Sequence, residues 1–97
     1  MSAVAAYTIP TIPQALYQEH GETVVNMARH IATDLYCARS RLEMTEAALA
    51  NGELSQAAKH AQRRREHVAE IRASIKRYGP LGEQAFRLAK QMEGPKA

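Results

Sequence analysis

An all-α fold is expected from three observations. A seam recurs in steps of four and three at Val24, Ala28, Ile31, Leu35, Ala38, Leu42, Thr45 and Leu49. That is the spacing of a helix packed lengthwise against another. A second seam, Ala57, Ala61, Arg64, Val68, Ile71, Ile75 and Tyr78, keeps the same steps. Between the two stands Asn51-Gly52, a pair that tolerates the left-handed conformation that ends helices. The chain therefore reads as a long antiparallel helical hairpin, with a short third helix after it and an extended N-terminal arm before it.

The arm is residues 1–11. Pro10 and Pro13, three apart, disfavour helix just before each of them. Val4, Tyr7, Ile9 and Ile12 make it apolar, so Tyr7 and Ile9 are candidates to lie along a partner's groove. Thr11 with Gln14 has the capping-box spacing. The first helix is expected over 12–50, continuous but weakened at Gly21, because Tyr17 and His20 stay in phase with the seam. A glycine inside a helix costs roughly 1 kcal/mol. The second helix is expected over 53–78, with Glu53 in its first turn or Ser55 as its cap. Gly79-Pro80 both ends it and starts the third helix, 80–93. There Leu81, Ala85, Leu88 and Met92 share a face, with Phe86 on its flank. Residues 94–97 follow as a frayed tail.

The turn sets the register. Leu42 is expected near Ala61, Leu35 near Val68 and Ala28 near Ile75. It also sets Ala38 opposite Arg64 and Arg65. An arginine at a packing position must carry its charge to water or to a carboxylate. Glu46 is the nearest candidate mate, and snorkelling to water is the simpler expectation. The second seam is small-residued near the turn, so the hairpin is expected to be tightest at its open end and thin around Arg63–Arg65.

Ninety-seven residues make one domain. Such a chain buries only roughly 60–65% of its unfolded surface, so a third helix, a second chain or both are needed to complete the core. The net charge of +3 is uneven. Residues 1–50 hold three Arg against four Glu and one Asp, for −2; residues 51–97 hold ten Lys and Arg against five Glu, for +5. The second half should meet acidic partners, or the acidic half should lie against the basic half. One cysteine, Cys37, excludes an internal disulfide. No apolar run approaches the ~18–20 residues that span a bilayer. A cytoplasmic protein with no membrane partner is expected.

The basic cluster of the second helix is Lys59, Arg63, Arg64, Arg65, Arg72, Lys76 and Arg77. Only Gln62 and Ser74 among them could read base edges, and no aromatic platform stands ready to stack bases. Phosphate contact alone is the nucleic-acid alternative. Cys37 and Met44 lie opposite the first seam among small residues, a face where the third helix or a second copy could dock. His60 and His67 are about 10.5 Å apart along the axis, too far to share an ion. His30 and Asp34 have ligand spacing but lack a third donor, so no metal or other cofactor is expected. No nucleophile–base set, phosphate loop or carboxylate pair marks an enzyme. The expected function is a non-enzymatic protein-binding regulator: an adaptor, chaperone or inhibitor. It would act through Arg63, Arg64, Arg65, Arg72, Lys76, Cys37, Met44, Tyr7 and Ile9 on another protein or on a second copy of itself.

Overall fold

The computed structural model describes residues 14–92. The arm with Tyr7 and Ile9, the Thr11 cap and the tail lie outside these residues. Within them the chain is all-α: α1 Gln14–His20, α2 Glu22–Ala50, α3 Leu54–Arg77 and α4 Gly82–Met92, with one 3-10 turn, Gly79–Leu81, before α4. α2 and α3 form the long antiparallel hairpin. Its register follows the turn: Arg41 bonds His60 and Asp34 bonds His67, within two residues of the expected pairing.

Glycine at position 52 makes the turn. With φ of 73°, Gly52 lets its own N–H reach the Leu49 carbonyl at 3.1 Å while the Glu53 N–H reaches that of Ala48 at 2.8 Å. This double bond pattern satisfies the carbonyls that a helix end leaves over. α3 then starts at Leu54 with Glu53 in the cap position and no side-chain cap bond. Ser55, expected as an alternative cap, lies inside the first turn instead.

The first helix is not continuous, contrary to the sequence expectation. Gly21 separates α1 from α2 with φ 86° and ψ 153°, a region essentially closed to residues with a Cβ. The chain stays hydrogen-bonded through the break, from Gly21 N–H to Tyr17 and from Val25 N–H to Gly21. The break turns α1 so that Leu16 and Tyr17 pack on the core and His20 meets Gln84 of α4 at 3.0 Å. Continuing α2 straight would forgo those contacts.

The core sits at the open end of the hairpin. Val24, Val25, Ala28, Ile31 and Ala32 of α2 cluster there with Ile71 of α3 and with Ala85, Leu88, Ala89 and Met92 of α4. By the 100° step of a helix, α2 presents two different faces. Ile31, Asp34, Ala38, Arg41 and Ala48 look toward α3, while Val25, Ala28, Ala32 and Leu35 look toward α4. The sequence seam runs between them. It is buried where α4 covers it and opens toward the turn, where Leu42 is 38% and Leu49 54% exposed.

The third helix therefore does not dock on the Cys37–Met44 face. Its apolar side needs the branched residues of the first turns of α2, and Cys37 points away from them by helical phase. Within α4 the inward stripe is Ala85, Leu88, Ala89 and Met92, while Leu81, in the 3-10 turn before it, is left 37% exposed. Gly82 explains the close return of the chain. It is buried, and a Cβ there would collide with the carbonyl oxygen of Ile75. Gly82→Ala gains roughly 1 kcal/mol of helix propensity, but a backbone collision cannot be relieved by a rotamer, and overpacking costs about 1–3 kcal/mol. Net destabilisation of about 1–2 kcal/mol is expected in urea denaturation. An unchanged or raised midpoint would contradict the close packing of α4 on α3.

Candidate protein-docking groove

The two long helices and the edge of α4 enclose a groove of about 670 Å³. Its floor is apolar: Leu35, Ala38 and Leu42 from α2, Val68, Ile71 and Ile75 from α3, and Phe86 at the end nearest α4. Its charged residues are all cationic: Arg39, Arg64, Arg72 and Lys90, with no carboxylate among the lining residues. Lys90 carries its ammonium 4.8 Å from the Phe86 ring centre, an arrangement in which the cation and the ring attract.

Arg64 occupies the charged position of the α3 seam. It is exposed and lines the groove. Among the described residues it has neither an ion pair nor a hydrogen bond, so Glu46 is not its mate. A large apolar residue here would have to face the same opening to solvent that the guanidinium now occupies. The α3 seam is thus cationic at Arg64, toward the turn, and aliphatic at Ile71 and Ile75, toward α4.

The basic cluster divides into two sets. In the first, Arg63 bonds Glu66 at 3.2 Å, Arg65 bonds Gln62 at 2.7 Å and Arg77 bonds Glu70 at 3.3 Å. These bonds lie within α3, so these three arginines find their partners on their own helix rather than on the acidic half of the chain. Bonds from Gln62 and then Arg63 hold the exposed Glu66 carboxyl below its usual range. Arg64 and Arg72 form the second set, on the groove. Lys76 is exposed and lies outside the groove lining.

Cys37 and Met44 stand apart from the groove, half-buried along the α2–α3 edge. The Arg41 guanidinium lies there, 3.9 Å from the Met44 sulfur and 2.9 Å from His60 Nδ1. Burial pushes the Cys37 thiol up, Asp34 adds to the rise, and Arg41 opposes it. Nearby, the structure supplies the donor that the sequence reading lacked. Glu70 reaches His30 and Asp34, with ligand atoms of all three within 4.8 Å of one another. The expected register, which sets Asp34 beside Ala69, was the signal that could have found it.

No helix among the described residues is long and apolar enough to cross a membrane. The chain matches no protein-family model, no curated protein and no solved structure, so function rests on the chemistry of its own surfaces. One consequence is directly measurable. With its thiolate disfavoured, Cys37 of the folded protein should react with iodoacetamide at pH 8 several-fold more slowly than in urea. Equal rates would contradict its half-buried placement.

Proposed function

We propose that this protein is a small non-enzymatic regulator, an adaptor, chaperone or inhibitor, that binds a partner protein by seating an acidic amphipathic helix in the α2–α3–α4 groove. The observation that carries this reading is an open apolar floor whose charged residues are all positive. Helix-in-groove recognition needs such a floor. The magnitudes assign the roles. Each large aliphatic side chain seated in the groove contributes about 1.5–3 kcal/mol, whereas an exposed ion pair gives about 0.2–1 kcal/mol. The floor supplies affinity. Arg64, Arg72 and Lys90 select acidic flanks and fix the direction in which the helix lies. Arginine suits this role because its planar fork matches a carboxylate.

A cytoplasmic setting fits the lone half-buried thiol. Nucleic-acid binding through α3 is the weaker alternative. Three of its arginines already bond side chains of their own helix, and phosphates would have to displace those partners.

Two helical peptides with the same leucine stripe, one flanked by Glu and one by Lys, separate these readings by fluorescence anisotropy. The Glu peptide should bind at least about tenfold more tightly, a difference of about 1.4 kcal/mol. The paired change Arg64→Glu with Arg72→Glu should reverse the preference, and Leu42→Asp should abolish binding of both peptides. Equal binding of the two peptides, or a preference unmoved by the Arg variants, would overturn the groove. Tight binding of mixed-sequence duplex lost on Arg63→Ala with Arg65→Ala, together with no peptide binding, would favour nucleic acid instead.

A further inference from the structure

We propose that His30, Asp34 and Glu70 form a binding site for a divalent cation of the zinc class, clasping α2 to α3. His30 and Asp34 stand one turn apart on α2, and Glu70 comes from α3. Their ligand atoms lie within 4.8 Å of one another. Around tetrahedral zinc, with bonds of about 2.0–2.2 Å, ligand atoms stand about 3.4 Å apart. The remaining contraction is small enough for side-chain rotation without moving either helix.

The surroundings have the form of an outer shell. Each of the three residues has one polar atom engaged from outside the cluster and a second left over. His30 Nδ1 is 3.0 Å from the Tyr78 hydroxyl. With Nδ1–H donating to that oxygen, the ring's lone pair sits on Nε2, the tautomer a metal requires. His67 Nδ1 lies 3.3 Å from Asp34 Oδ1, which leaves Oδ2. Glu70 Oε2 accepts from Arg77 at 3.3 Å and from Ser74 at 3.5 Å, which leaves Oε1. Ser74 is itself fully buried and accepts from Arg77 at 2.9 Å, so the Glu70 anchor is fixed from below. Outer partners of this kind orient ligands and raise their basicity.

Two carboxylates supply anionic oxygens and the imidazole a nitrogen, while the Arg77 guanidinium on Glu70 offsets part of the negative charge. The imidazole selects zinc or its neighbours in the transition series over magnesium and calcium, which prefer oxygen alone. Water takes the fourth position, and His67 orients Asp34. By helical phase the cluster lies on the opposite edge of the α2–α3 interface from α4. It is therefore separate from the groove, and the metal site stands whether or not the groove binds a partner.

The test uses the full-length protein, stripped with a chelator and titrated with zinc chloride in competition with a chromophoric chelator. One equivalent should bind, with a melting temperature that rises with zinc concentration, as binding to the folded state alone requires. His30→Ala and Glu70→Gln should each weaken binding at least about tenfold, the usual effect of losing a ligand or its support. Both variants should keep the far-ultraviolet circular dichroism of the parent. Cys37→Ser and His60→Ala should bind as the parent does. Failure to take up one equivalent would overturn the site, as would uptake undiminished in His30→Ala and Glu70→Gln. Uptake lost in Cys37→Ser but kept in Glu70→Gln would also overturn it, by placing the metal on α2 alone.

Discussion

A mismatch of helix lengths governs this molecule. α2 has 29 residues and α4 has 11, so at 1.5 Å per residue they run about 43 Å and 16 Å. α3, with 24 residues, follows α2 for most of its length. A pair of helices meeting along one stripe leaves each with apolar surface on the flank of that stripe, and only another element can cover it. α4 covers the flank at the open end. There Val25, Ala28, Ile31 and Ala32 are completely buried. Past Leu35 nothing among the described residues covers it, and the composition changes accordingly from branched aliphatics to alanine, arginine and an exposed leucine.

The rest of the design follows from that constraint. Near the turn the inward residues are small, with Ala48 and Ala57 both buried. Small residues let two helices approach closely but contribute little apolar area each. The turn region is thus held largely by its backbone, through the glycine-closed bonds at Ala48 and Leu49. Midway, the α2–α3 contact is polar. Arg41 with His60 and Asp34 with His67 cross the interface, where they fix register more than they add stability. The cationic groove and the His30–Asp34–Glu70 cluster lie on opposite edges of this same middle section.

Much of this was legible in the sequence. The hairpin, its turn, its register and the short final helix all follow from local signals: heptad steps, Asn51-Gly52 and Gly79-Pro80. The thin, charged region near the turn was readable from Arg64 and the alanines around it. What escaped depended on contacts between elements distant in the chain. The phase of Tyr17 and His20 agreed with a continuous helix, and the turn at Gly21 is favoured by contacts distant in the chain: Leu16 and Tyr17 on the core and His20 with Gln84. The seat of α4 was misplaced because small residues at Cys37–Met44 looked like a docking face. The branched residues flanking the seam offered more area to bury, and they took α4. Nothing local in the sequence marks Gly82, because its need for glycine comes from the Ile75 carbonyl on another helix. Glu70 escaped as the third donor because donors on two helices converge only when register and side-chain direction are known together.

The claim that α4 buries only one half of a two-faced helix is tested most directly by amide hydrogen exchange along α2. Both halves are continuous helix with the same backbone bonds, so propensity alone gives no large difference between them. Exchange in native conditions should be slower in residues 25–35 than in residues 42–49 by at least about tenfold, since opening the covered half must expose the core. Uniform protection from residue 25 to residue 49, or stronger protection near the turn, would mean that the groove is covered in solution and that the uncovered face is not the organising feature of the fold.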